Sequence, residues 1–221
     1  YSLAKLVKAI TKETTIPWIR LLYCYPDKIT DELINELRDN DRLLKYMDIP
    51  IQHISDSVLS RMNRHGGSAL IKETVKKLRE RVPGIVLRTT AMVGFPGEGE
   101  KEFEELVEFV KWAKFDRLGA FAYCEEEGTY AAQNYRDSIS KKKKQERLDR
   151  LMEVQQRIST RLNEAKTGNV YRTVIDRIEG DYYIGRRYYI PYTRFWGYLR
   201  KPGQSWRTAQ LVMMDEQDCR Q

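Results

Sequence analysis

The residues able to do chemistry in this chain are few and stand near the ends of short apolar runs: Tyr23 and Tyr25, Gln52 and His53, Thr90 beside Val93 and Gly94, and Tyr123 with Glu125. Arg88 is the strongest single candidate. It lies inside an apolar, β-branched run, where a charged group is costly unless it meets a partner or a ligand. Its guanidinium fork matches a carboxylate bidentately. The competing role is a structural ion pair with Asp48 or Glu125. Gln52 and His53 either face a ligand together or cap the loop after Pro50. Glu125, Glu126 and Glu127 either do acid–base work or form a surface acidic loop. No Ser-His-Asp order, Walker loop or G-x-G-x-x-G occurs. Cys24, Cys124 and Cys219 are scattered with no C-x-x-C pair. Their spacing predicts neither a disulfide framework nor a metal cluster held by this chain alone, and it fits a reducing cytoplasm.

The elements that must position these groups read from the hydrophobic pattern. With 221 residues and a hydrophobic share of 41%, the chain can bury a sizeable core as one large domain, or as one domain and a small one. No apolar run approaches the roughly 18 residues of a membrane helix. The net charge of +7 permits an acidic partner without identifying one. Leu3, Leu6, Val7 and Ile10 share one face of a first helix. Residues 16–24 read as a strand. Thr30 caps a helix carrying Leu33, Ile34 and Leu37. A second strand spans 46–52, with Pro50 marking a bulge or strand end. Ser55 caps a helix through Met62, Gly66-Gly67 breaks it, and Ser68 caps the next, which carries Ile71, Val75 and Leu78.

The run 87–94 is a buried strand that stops at Gly94-Phe95-Pro96-Gly97. An amphipathic helix over about 99–113 follows, with Phe103, Leu106, Val107 and Val110 inward. Glu98, Glu100 and Glu102 stand at its positive start. A fourth strand covers 118–124. Strands alternating with helices predict an α/β fold with a parallel array. Four such strands cannot close a (β/α)8 barrel and leave a lateral edge. Residues 1–137 therefore read as the later βα units of a partial barrel, whose ligands sit at the carboxyl ends of the strands.

From about Ser138 one long helix runs to Lys166-Thr167-Gly168, with Leu148, Leu151, Ile158 and Leu162 on one face and Gly168 as its stop. Lys141 to Lys144 is either a nucleic-acid contact or a solvated face. Residues 170–176 and 182–186 read as two strands around Glu179-Gly180-Asp181, opening a small β domain over 168–221. Beyond Arg187 the alternation stops in an aromatic-rich run, which either stacks on RNA or is an unstructured or frame-shifted tail.

Four segments resemble one family: IRLLYCYPDKITDELI, KYMDIPIQHISDSVLSRMNR, LRTTAMVGFPGEGEKEFEE and FDRLGAFAYCEEEGT. They are similar, in this order, to the radical-SAM methylthiotransferases, over about residues 1–187. The stretches Ile51 to Asp56 and Cys124 to Thr129 look more like the branch modifying ribosomal protein S-twelve than the branch modifying a tRNA adenosine. The resemblance implies a C-terminal part of a radical-SAM (β/α) TIM-like partial barrel followed by the start of an all-β TRAM domain. It implies S-adenosyl-L-methionine and [4Fe-4S] clusters as cofactors, and a methylthio group added to the β-carbon of an aspartate. On the matching positions, Val93 and Gly94 would offer backbone to the adenine. Gln52 would face the ribose, and Arg88 or Thr90 the methionine polar groups. The family's C-x3-C-x2-C motif is absent from these residues, so no metal ligand or catalytic residue is assigned and the chain alone is expected to be inactive. The implied partners are ribosomal protein S-twelve and, through the TRAM-like end, RNA. A cytoplasmic monomer with no membrane contact is expected. The alternatives are a tRNA adenosine methylthiotransferase and a non-catalytic RNA- or ribosome-binding fragment.

Overall fold

The structure, a computed structural model, describes residues 2–166, 169, 173–179, 182–187, 196–197 and 211–212. The chain divides into two units, Tyr1–Ser159 and Thr160–Gln221. The first unit contains, in order, α1 (Leu3–Glu13), β1 (Ile19–Leu21), a 3-10 turn (Pro26–Lys28), α2 (Asp31–Asp39), β2 (Leu43–Gln52), α3 (Asp56–Arg61), α4 (Gly67–Arg81), β3 (Val86–Val93), α5 (Glu100–Ala113), β4 (Arg117–Ala122), α6 (Tyr130–Asn134) and most of α7 (Lys141–Glu164). No helix among the described residues is long and apolar enough to cross a membrane.

β1 to β4 form one parallel sheet in sequence order. The expected α/β array is therefore present, and β1 and β4 are its lateral strands among the described residues. Side chains alternate across a strand, and β3 shows the consequence. Leu87, Thr89, Ala91 and Val93 are fully buried in the main core, whereas Arg88, Thr90 and Met92 on the opposite face are half-buried. The first face packs on the helices. Phe103, Leu106, Val107 and Val110 of α5 are buried as their spacing predicts, as are Leu33, Ile34 and Leu37 of α2. Thr30 caps α2 through its side chain, accepting from the Leu33 N–H.

Several boundaries move for identifiable reasons. β1 covers three residues where a strand over 16–24 was expected, and β2 begins earlier, at Leu43. Pro50 stays inside β2, and the register with β3 shifts between Ile49 and Gln52. The Thr89 hydroxyl fills that gap, donating to the Ile49 carbonyl at 2.8 Å and facing the Ile51 N–H at 3.5 Å. Ser68 is not the cap of α4. Gly66 holds the N-cap position at φ +92°, and Asp56 takes the Ser68 N–H and hydroxyl. In α1 the buried residues are Ala4 and Val7, while Leu3 and Leu6 are exposed.

In the second unit, β5 (Thr173–Glu179), β6 (Tyr182–Arg187), β7 (Trp196–Gly197) and β8 (Leu211–Val212) form an antiparallel sheet in that order. Pairing thus resumes after Arg187 in two short strands. The expected turn at Gly180-Asp181 and the helix stop at Gly168 lie outside the described residues.

Candidate ligand site at the carboxyl ends of the strands

The sheet face away from the main core carries Tyr46 and Asp48 from β2, Arg88, Thr90 and Met92 from β3, and Arg117, Gly119 and Phe121 from β4, matched by register. Asp48 and Arg88 are direct register partners, and Arg88 Nη1 stands 2.9 Å from Asp48 Oδ2. Asp48 is 1% exposed, whereas the Arg88 side chain is 40% exposed. Arg88 therefore makes the structural ion pair and still presents its guanidinium to solvent. Glu125 is exposed and is not its partner. Tyr46, two residues before Asp48 on β2, has Arg20 over its ring at 5.0 Å; burial, then the Asp48 charge, pushes its phenol pKa up. Cys24, whose N–H donates to the Asp48 carbonyl, has its thiol pushed up to about 11 by burial and by the same carboxylate.

At the strand ends the backbone is unusual. Gln52, the last residue of β2, has φ +66°, and Tyr23, just after β1, has φ +56°. Left-handed backbone at a residue other than glycine costs about 1–3 kcal/mol and concentrates at functional sites. Gln52 is half-buried and Tyr23 is 69% exposed. His53 does not accompany Gln52 toward a ligand. It is fully buried, and its Nδ1 accepts the Ser55 N–H at 3.0 Å, so the loop-capping role is the one present. Its Nε2 faces Glu98 Oε2 at 3.2 Å.

Past β3, Gly94 has φ +72°, and its N–H donates to both carboxylate oxygens of Glu98, at 2.9 and 3.0 Å. The Val93 carbonyl accepts the Tyr123 N–H at 2.8 Å. Glu98 thus turns back into its own loop; the helix α5 begins beyond it, with Glu102 taking the Gly99 N–H. Arg147 of α7 completes the carboxylate's partners at 2.7 Å.

The lysine run divides: Lys141, Lys142 and Lys143 are exposed, as the solvated-face reading has it, and Lys144 is not. Lys144 is buried, with its Nζ donating to the Tyr123 carbonyl at 3.0 Å and pairing with Asp137. Glu125, Glu126 and Glu127 are exposed, as the surface-loop reading has it. Sequence reasoning missed Glu98, Lys144 and Arg147 as site-supporting residues. The signal was the buried stripe Lys144, Arg147, Leu151 and Gln155 on α7, which continues the apolar face into charged residues. Among the described residues no group of three metal-ligating side chains comes together.

A family model described as the radical SAM superfamily matches residues 1–110. The sheet has the fold of a solved radical SAM enzyme, the coproporphyrinogen III oxidase HemN of Escherichia coli, with a TM-score of 0.59 at 15% identity over 84% of this chain and 48% of that one. Among curated relatives, the ribosomal protein uS12 methylthiotransferase RimO of Phocaeicola vulgatus is 54% identical over 184 residues, covering 83% of this chain and 43% of that protein. The protein of the same name from Clostridium novyi is 48% identical over 186 residues, covering 84% and 42%. The chain belongs to the radical SAM superfamily, in its methylthiotransferase family. It spans about 43% of the length of these relatives.

Proposed function

We propose that this chain is part of a methylthiotransferase that adds a methylthio group to the β-carbon of an aspartate of ribosomal protein uS12 (S-twelve). The observation that carries this is the 54% identity, along 83% of the chain, to a relative bearing that name. The fold supports it, because the polar, half-open sheet face and the strained strand ends lie where parallel βα sheets bind ligands.

The described residues fit S-adenosyl-L-methionine. Arg88 offers an exposed guanidinium whose charge Asp48 offsets from one side only, suited to a carboxylate. Thr90 stands beside it on the same face, so these two would take the methionine end. Gln52, held in a left-handed turn at the end of β2, would face the ribose. The adenine would rest on Val93 and Gly94. Because the Gly94 N–H is taken by Glu98, the loop's shape, more than that donor, would receive it. The chemistry such a cofactor supplies when bound is hydrogen abstraction from an unactivated carbon. This chain's residues would orient it and keep water away, since a reactive species that meets water or protein is lost.

The described residues do not fit an iron–sulfur cluster: Cys24 is buried beside Asp48, and Cys124 is exposed in the loop past β4. We therefore assign the [4Fe-4S] ligands to residues outside this chain. The β5–β8 unit is proposed as the start of a TRAM-type domain that touches the macromolecular substrate, with RNA contact as part of that role. The domain division proposed is 1–137, 138–167 and 168–221, in a cytoplasmic monomer.

The test is complementation of a strain lacking the activity with the full-length gene, followed by mass spectrometry of uS12 and of tRNA. A methylthio group returning to uS12 alone is expected; its return to tRNA instead overturns the substrate assignment. Anaerobic reconstitution of this chain alone is expected to incorporate no stoichiometric thiolate-bound cluster, and near-stoichiometric uptake contradicts the ligand assignment.

A further inference from the structure

The buried carboxylate of Glu98 lies between two strand ends that the cofactor reading uses. One oxygen faces His53 Nε2, next to Gln52 of β2; both accept the N–H of Gly94, after β3. His53 Nδ1 already accepts a backbone N–H, and its Nε2 stands 3.2 Å from Glu98 Oε2. The cation facing this carboxylate comes from far along the chain. Arg147 Nη1 reaches Glu98 Oε1 at 2.7 Å and the Glu98 carbonyl at 3.0 Å. The Arg147 side chain is 6% exposed and that of Glu98 is 0% exposed. One turn earlier on the same helix face, Lys144 lies across Gly94. A Cβ on Gly94 would stand 2.4 Å from Lys144 Cγ. The superfamily match ends at residue 110, before α7 begins.

We propose that Arg147 and Lys144 of α7 are positioning residues for the cofactor loop, acting through Glu98 and Gly94; this rests on the cofactor reading above. A buried carboxylate left without its cation is costly to keep in place and is driven to turn toward solvent. That weakens its hold on the Gly94 N–H and moves it away from His53, and the ends of β2 and β3 lose their common neighbour. Lys144 limits the same loop from above, leaving space at residue 94 for a glycine only. The helix beyond the βα units is thereby part of the ligand-binding apparatus.

The test uses the full-length protein that contains this chain, with S-adenosylhomocysteine as the probe. Its affinity is measured calorimetrically for wild type, Arg147→Gln, Arg147→Lys, Lys144→Met and the surface control Arg150→Gln, at a temperature where each is folded. Exchange of the Gly94 amide is measured alongside. Arg147→Gln is expected to weaken binding by at least about tenfold and to accelerate Gly94 exchange, with Arg147→Lys recovering part of both and Arg150→Gln leaving both unchanged. Should Arg147→Gln fail to fold, Arg147→Lys and Lys144→Met carry the test, each being expected to bind several-fold more weakly than wild type. Folded variants that bind as tightly as wild type, with Gly94 equally protected, overturn the positioning role alone. A wild-type full-length protein that takes up no S-adenosylhomocysteine overturns the cofactor reading, and the positioning role with it.

Discussion

Arg88 Nη1 and Asp48 Oδ2 stand 2.9 Å apart as register partners on adjacent parallel strands, with the carboxylate buried and the guanidinium half in solvent. Removing the partner of a fully buried charge costs about 3–5 kcal/mol. Solvent reaching Arg88 reduces that, so Arg88→Met is expected to lower unfolding stability by about 2 kcal/mol. Adding Asp48→Asn should recover part of the loss. A urea-denaturation cycle over the two single variants and the double variant checks this; strictly additive losses would show that the two groups are not coupled.

Gly94 and Gly84 separate backbone strain from crowding. Both have positive φ, +72° and +75°, but an added Cβ meets Lys144 at the first and nothing within 4 Å at the second. Gly84→Ala should cost about 1 kcal/mol, the strain of a left-handed alanine. Gly94→Ala should cost roughly 3 kcal/mol, because the buried Lys144 must also move. Equal losses in thermal or urea unfolding would remove the argument that α7 shapes this loop.

The two described cysteines should differ in reactivity. Cys24 is buried with its thiol pushed up to about 11, whereas Cys124 is exposed. At pH 8 an alkylating reagent should label Cys124 in the folded protein and reach Cys24 only on unfolding, as peptide mapping would show. The same shift has a sign in stability. Unfolded Cys24 loses its proton near 9, while the folded thiol keeps it to about 11. Stability should therefore fall as pH rises from about 9 to about 11, and Cys24→Ala should flatten that slope. Tyr46, also shifted upward by burial, adds to the same fall at its upper end.

Thr89 ties the sheet together where Pro50 supplies no N–H. Its hydroxyl is fully buried and donates to the Ile49 carbonyl. Thr89→Val keeps the shape and strands that carbonyl, so a loss of about 1–2 kcal/mol is expected in urea unfolding. A loss near zero would mean that the bulge is held by packing alone.

The fold was largely legible because its signals are local. The stripes Leu33/Ile34/Leu37 and Phe103/Leu106/Val107/Val110 specify buried helix faces, and the strand-to-loop break at Gly94-Phe95-Pro96-Gly97 follows from residue chemistry. The pairing of Arg88 with Asp48 was one of two readings, since spacing cannot say which carboxylate lies opposite. Gln52 and His53 are sequence neighbours that diverge, because a left-handed turn at Gln52 sends the imidazole into the core. Glu98 looked like a helix-start acid because its true partners lie elsewhere: Arg147 is 49 residues away. Lys144 belongs to a run of four lysines, and only its helical spacing from Leu151 distinguishes the one that is buried.

The central claim is that the carboxyl ends of β2 and β3 receive S-adenosylmethionine. Its most direct test is a backbone amide NMR titration of the full-length protein that contains this chain with S-adenosylhomocysteine. The account predicts saturable shifts concentrated at Gln52, Arg88, Thr90, Val93 and Gly94. Shifts clustered elsewhere on the molecule, or none at saturating ligand, would contradict it.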